Sequence, residues 1–227
     1  MPPPPVAASR RARLALRLGT GALLLIIAAA LFGAIAEDVV SGDRLTALDA
    51  EIAQWLHRRT EMPLTRVVLV VTDLQSTVAI ACYAAIAGVW FAACRQWREF
   101  TTVAVAVGGG LLLNVLMKHA FQRARPTFDQ PLLTLASYSF PSGHVAASTV
   151  FYGLVVAWIF GRTRRVLWRV LAVAAALAMI VLVAFTRMYL GLHYLSDVVA
   201  AFAEGVAWLA ICFSALAAYW HRRGFAP

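Results

Sequence analysis

Six apolar runs, at residues 18–36, 67–94, 100–117, 145–161, 168–186 and 196–220, take up more than half of this 227-residue chain. A helix needs about 20 apolar residues to cross a hydrocarbon core about 30 Å thick, and the first run carries no charge at all. Any single run could be a buried helix of a soluble protein. Six together leave almost no polar surface to solvate one. Residues of the chain are 62% hydrophobic, against about 45–50% in soluble domains. The expected fold class is all-α, a polytopic membrane helix bundle with six transmembrane helices. There is no strand-like alternation, no internal repeat and no glycine-rich nucleotide loop. Gly108-Gly109-Gly110 lies inside the third run and reads as a point of close packing or flexibility rather than a phosphate loop.

The flanks and loops fix the remaining organisation. Residues 1–13 are proline-rich and then basic, which predicts a disordered basic tail ahead of one six-span domain at 14–221. Residues 34–36 mimic a signal cleavage site, but secretory h-regions run only about 7–15 residues, so an uncleaved first span is expected. Residues 37–66 contain Leu45, Leu48, Ile52, Trp55 and Leu56 at helical spacing, followed by Arg58 and Arg59. That pattern predicts a short helix, either lying on the membrane surface or packed on the bundle as a connector. Cys82, Cys94 and Cys212 sit in or beside apolar runs without CxxC spacing, so neither a disulfide framework nor a zinc site is suggested.

The net charge of +9 is not gathered into one basic patch with interleaved aromatics, so nucleic acid is not an expected partner. The charges stand at the ends of apolar runs. With the N-terminus inside, twelve of the twenty basic residues fall in inside segments. Eight fall outside, and four of those are Lys118, Arg123, Arg125 and Arg187, for which chemistry gives a separate reason. The remaining twelve-to-four bias predicts N-in and C-in.

That topology draws three separated stretches to the outer face: Lys118 to Pro126, Pro141-Ser142-Gly143-His144, and Thr186-Arg187 to His193 and Asp197. Lys118, Arg125 and Arg187 are three cations at one membrane face; a transferring phosphoryl group spreads charge over its equatorial oxygens, and such clamps stabilise it. Lys118 is the only lysine of the chain, a compact point charge where every other basic residue is a forked guanidinium. Ser142 suits a helix N-cap, Gly143 permits close backbone approach, and free N–H groups at a helix start bind phosphate. His193 and Asp197, four apart, share a helix face; a carboxylate on one ring nitrogen fixes the tautomer and frees the other to attack. His144 is then the separate acid for the leaving oxygen. Arg123 is left between a lipid headgroup, a second phosphate and a helix anchor. His119 is expected at the interface, and Asp73 and Glu204, acids within spans, are expected to face the bundle interior, Glu204 in a structural hydrogen bond rather than a substrate groove.

Lys, six residues, Arg-Pro; Pro-Ser-Gly-His; and a hydroxyl residue with Arg, five residues, His, three residues, Asp resemble the signature of the type 2 phosphatidic acid phosphatase superfamily. The likeness covers residues 118–197, with Thr186 where that family usually has Ser. It implies a membrane lipid phosphatase that needs no metal or other cofactor. His193 would form a phosphohistidine, His144 would serve as acid and then base, and Asp197 would orient His193. Lys118, Arg125, Ser142, Gly143 and Arg187 would hold the phosphate. The implied substrate is a lipid phosphate in the bilayer, such as undecaprenyl diphosphate, phosphatidylglycerol phosphate or phosphatidic acid, met at the extracytoplasmic face of a bacterial plasma membrane. The same residues would also serve a lipid phosphotransferase; a transporter or silent scaffold is the non-enzymatic alternative.

Overall fold

The computed structural model describes residues 6–223. Among them are eight helices and no strand: α1 (Val6–Ser41), α2 (Arg44–His57), α3 (Met62–Leu74), α4 (Thr77–Ala93), α5 (Trp97–Phe121), α6 (Gly143–Arg162), α7 (Val166–Tyr189) and α8 (Leu195–Arg222). Residues 6–13, expected in a disordered tail, instead begin α1. Past the opening prolines the sequence there is rich in alanine and arginine, and nothing in it breaks a helix continuous with the span. The rest of the expected tail, residues 1–5, lies outside the described residues.

Five helices, α1, α5, α6, α7 and α8, are long and apolar enough to cross a membrane. The run at 67–94, expected as one span, is two helices: α3 and α4 meet at 41° and make a sixth span only as a pair. The break has a local cause. Ser76 caps α4 by accepting from the Ala79 amide at 3.1 Å, and Gln75 accepts the Tyr152 hydroxyl at 2.8 Å, so these polar groups are satisfied off the helix axis. Asp73, expected to face inward, is exposed at this bend.

In lipid, helices do not associate by the hydrophobic effect; close backbone packing substitutes for it. Gly109 lies against the Trp208 ring with no room for a Cβ, and the indole N–H donates to the Ala106 carbonyl at 2.8 Å. Gly109 and Gly110 of the third run thus form a packing surface, as one of the two readings of that cluster had it, while Gly108 faces open space. A Cβ on Gly205 would come within 2.7 Å of Thr149, which sets α6 and α8 side by side and parallel. Gly21 packs on Ser214, while Ile35 and Ala36 share a cluster with Ala200, so α1 and α8 run antiparallel. The outward residues Leu23, Ile26, Ile86, Val89 and Val181 are exposed apolar side chains, as a lipid-facing surface requires.

These pairings place the end of α5, the start of α6, the end of α7 and the start of α8 at one end of the bundle. Helix α2 lies across that end. It is a packed connector: Asp49, Ala53 and Leu56 are buried, while Trp55 stays half exposed beneath the Arg59 guanidinium, 4.0 Å away.

Candidate active site

Two turns bring the chemistry together. Helix α5 ends at Gln122, in the left-handed region at φ 47°, and releases a loop that runs to Ser142. Helix α7 ends in a turn at Gly191, where φ is +68° and an added Cβ would sit 2.6 Å from the Phe128 ring. Both conditions require glycine. Phe128 in turn stacks on His57 at 4.1 Å, so the loop is held between α2 and the Gly191 turn.

His193, just past that turn, is 3% exposed. Its Nδ1 stands 3.3 Å from Asp197 Oδ2, and its Nε2 stands 3.3 Å from Arg125 Nη1. The network assigns the proton to Nδ1, donated to the carboxylate, and leaves the Nε2 lone pair facing the cations. Burial pushes the His193 pKa down to about 4, Asp197 opposes, and Arg125 and Arg187 add to the depression. The ring is therefore neutral near pH 7. Asp197 is fully buried and also accepts from the Tyr194 amide at 2.9 Å. Its backbone carbonyl accepts the Ser142 amide at 3.1 Å, which ties the Pro-Ser-Gly-His stretch to the start of α8.

The three cations are held mainly by uncharged acceptors. Lys118 Nζ donates to the carbonyls of Tyr138 at 2.7 Å and Ser139 at 3.3 Å. Arg125 donates to the Ser137 carbonyl at 2.7 Å and the Leu192 carbonyl at 2.6 Å. Burial lowers the Arg125 pKa against the pull of Asp197, but a guanidinium keeps its charge at any ordinary pH. Arg187 is 3% exposed and donates to the Thr72 hydroxyl at 2.8 Å. Among the described residues, Arg187 Nε and Ser142 Oγ are buried without a hydrogen-bond partner. An unmet buried donor costs about 1–3 kcal/mol, and an anionic oxygen would satisfy both. Gly143 starts α6, and a Cβ there would lie 3.0 Å from Asn114 Oδ1 and 3.8 Å from Lys118 Cε. His144 follows in the first turn, within electrostatic reach of Arg187, His193, Arg125 and Lys118. All eight residues singled out in the sequence thus gather at one end of the bundle.

The profile of the PAP2 superfamily matches residues 99–221, the stretch that carries all three motifs and more than half of the chain. The chain belongs to the PAP2 superfamily. It is similar to a phosphatidylglycerophosphatase B of Bacillus subtilis (strain 168), 29% identical over 49% of this chain and 55% of that protein. It is also similar to a lipid A 1-phosphatase of Rhizobium johnstonii, 35% identical over 46% of this chain and 42% of that protein. The match therefore spans about half the length of these curated relatives. The crystal structure of a transmembrane PAP2-type phosphatidylglycerolphosphate phosphatase from Bacillus subtilis superposes with a TM-score of 0.70 at 25% identity, covering 85% of this chain and 93% of that one.

Against the PAP2 pattern, Thr186 keeps the function of a hydroxyl: it donates to the Val183 carbonyl at 2.7 Å and lies 3.4 Å from the Thr72 hydroxyl that holds Arg187. Arg123 makes a contact that the sequence did not suggest. Its guanidinium bridges Asp197 at 2.6 Å and Asp49 at 2.8 Å. Burial works against that charge, yet Asp197 and Asp49 hold its pKa above the ordinary value. Asp49 was not singled out by the sequence. The signal available was an acid on the apolar stripe of an amphipathic helix, in register with Leu45, Ala53 and Leu56. His119 is exposed, with Nδ1 2.8 Å from the Val115 carbonyl. Glu204 is buried and accepts from Asn114 at 2.9 Å, the structural bond expected of it.

Proposed function

We propose that this protein is a metal-independent lipid phosphatase, hydrolysing a phosphate monoester or diphosphate of a lipid through a phosphohistidine intermediate. The observation that carries the reading is the orientation of His193. Its free Nε2 points at Arg125, in a pocket that Lys118 and Arg187 make cationic, and its other nitrogen rests on a buried carboxylate.

In the first step the Nε2 lone pair attacks phosphorus. An N–P bond forms and the bond from phosphorus to the leaving oxygen breaks. His144 gives that oxygen its proton. In the second step His144 takes a proton from water, the resulting oxygen attacks phosphorus, and the N–P bond breaks to release phosphate. Lys118, Arg125, Arg187, the Ser142 hydroxyl and the Gly143 amide stabilise the equatorial oxygens through both steps. Asp197 keeps the ring in the Nδ1–H tautomer and offsets its positive charge once phosphorylated.

The arginine bias of the loops puts this site at the extracytoplasmic face, in our reading of a bacterial plasma membrane. The substrate candidates are undecaprenyl diphosphate, phosphatidylglycerol phosphate and phosphatidic acid. The name of the Bacillus relative favours phosphatidylglycerol phosphate among them.

The test is phosphate release by the purified protein from a panel of lipid phosphates in EDTA, beside His193→Ala. Release is expected to persist in EDTA and to fall by more than about 10⁴-fold in the variant, as for other covalent nucleophiles. Activity that EDTA abolishes and added metal restores would overturn the metal-independent mechanism. Activity that survives in His193→Ala would overturn the nucleophile.

A further inference from the structure

Two residues do structural work at the site that the reaction as written leaves unexplained. Asp49, on α2, is fully buried. Its Oδ1 accepts the Ser196 amide at 2.9 Å. Its Oδ2 accepts Arg123 Nη2 at 2.8 Å and also the Ser196 hydroxyl, in a very short bond. Arg123 Nη1 donates to the Ser196 hydroxyl and to Asp197 Oδ1, each at 2.6 Å. The plane of the guanidinium is backed by the Tyr194 ring, 4.4 Å away. One guanidinium therefore joins a carboxylate of α2 to the carboxylate that faces the nucleophile.

The consequence is geometric. Asp197 has two oxygens with different partners: Oδ2 meets His193 and the Tyr194 amide, and Oδ1 meets Arg123. A buried carboxylate without its counter-charge is costly and seeks another. Arg125, 3.3 Å from the same His193 ring and within electrostatic reach of Asp197, is an available substitute. Rotation of Asp197 toward it would withdraw Oδ2 from Nδ1 and neutralise part of the phosphate pocket. Asp49 guards against that rotation by keeping the guanidinium in place, because it holds the second arm of the fork and the N-terminus of α8 together.

We propose that Arg123 and Asp49 are positioning residues: they lock the Asp197 carboxylate so that His193 keeps its Nδ1–H tautomer with Nε2 toward the phosphate, and they make helix α2 part of the catalytic frame. The statement about turnover rests on the phosphatase reading above. The statement about the His193 ring does not.

The experiment uses the full chain in lipid nanodiscs, with ¹⁵N-labelled histidines and the His193 signals assigned by their loss in His193→Ala. Wild type should show a protonated Nδ1 at His193 near pH 7. Arg123→Met and Asp49→Asn should show a mixture of tautomers. Phosphate release from the preferred lipid should fall roughly 10–100-fold in turnover, the range seen when a partner orienting a functional histidine is removed elsewhere, with KM changed by less than about twofold. Arg123→Lys keeps the charge and loses the fork, so it should recover part of the turnover. The double variant Arg123→Met/Asp49→Asn should be no slower than Arg123→Met alone, because both act through one network.

Unchanged His193 signals in folded variants would overturn the proposal whatever the activity. A raised KM with turnover intact would also overturn it, and would make Arg123 a substrate-binding group. If Arg123→Met does not fold, Arg123→Lys and Asp49→Asn carry the same comparison. If wild type releases no phosphate from any lipid, the phosphatase reading fails, while the tautomer of His193 in the variants still decides whether Arg123 and Asp49 position it.

Discussion

The two halves of the site are held by different chemistry. Lys118 and Arg125 rest on backbone carbonyls and Arg187 on a hydroxyl. Asp197 rests on a dedicated cation, Arg123, which Asp49 shares. Uncharged acceptors fix the direction of Lys118, Arg125 and Arg187 without cancelling the field an incoming anion meets. The acid half has the opposite need. A fully buried carboxylate must be paired, and pairing it with Arg125 would discharge the pocket. Arg123 and Arg125 stand two positions apart in a non-helical stretch, and the chain uses them for opposite purposes.

Asp197→Asn probes the acid half with the largest expected effect. If the amide oxygen accepts from Arg123, the amide nitrogen must donate to His193 Nδ1. The ring proton is then forced onto Nε2, and the attacking lone pair is lost. Turnover should fall about 10⁴-fold with KM little changed, the size seen when the equivalent aspartate of a serine-protease triad becomes asparagine. A loss under about tenfold in steady-state assays would mean that Asp197 does not set the tautomer.

Arg125→Met probes the other half. Removing one preorganised donor to developing charge costs about 10²–10³-fold, and here substrate affinity should weaken as well, because in the proposed pocket Arg125 would meet phosphate in the ground state too. A turnover loss with KM unchanged would move Arg125 into the acid half and dissolve the comparison.

The cation half was legible in the sequence and the counter-charge was not. Lys118, Arg125, Ser142, Gly143, His144, Arg187, His193 and Asp197 lie in three stretches whose internal spacing is informative, and the alternation of spans puts those stretches at one end. Asp49 lies in no such stretch. It sits among Asp38, Asp43 and Glu51, marked only by its place on the apolar stripe of α2, and the packing of α2 on the start of α8 supplies its partners. The bend between α3 and α4 was hidden for a related reason. Hydropathy over 67–94 averages across Asp73, Gln75 and Ser76, and a serine becomes a helix cap only where the chain can turn. That bend matters to the site, since Thr72, just before it, holds Arg187.

The burial of His193 can be read through stability. Its folded pKa, about 4, lies below the value of about 6.5 expected in an unfolded chain. The unfolded state therefore binds more protons between these values. The stability due to the neutral ring is full above about pH 6.5 and is lost as pH falls toward 4, by up to roughly 3 kcal/mol. The thermal midpoint in detergent should drop between pH 7 and 5, and His193→Asn should flatten part of that slope. Equal slopes in the two proteins would place an ordinary, hydrated imidazole at this position and remove the basis for a neutral nucleophile.

The smallest effect tests how Arg187 is held. Thr186 is buried and its hydroxyl approaches Thr72, whose own oxygen accepts from Arg187. Thr186→Ser keeps that hydroxyl and removes one buried methyl, so about 1 kcal/mol of stability should be lost while turnover stays within about twofold. Thr186→Val keeps the shape and removes the hydroxyl. Thr72 then loses a polar neighbour 3.4 Å away, Arg187 is less firmly aimed, and turnover should fall by up to roughly fivefold, the most that one modest hydrogen bond supplies. The order of the two variants is the informative result. If serine costs as much turnover as valine, packing around the methyl aims Arg187, and the claim that uncharged hydrogen-bond acceptors hold the cation half fails at this residue.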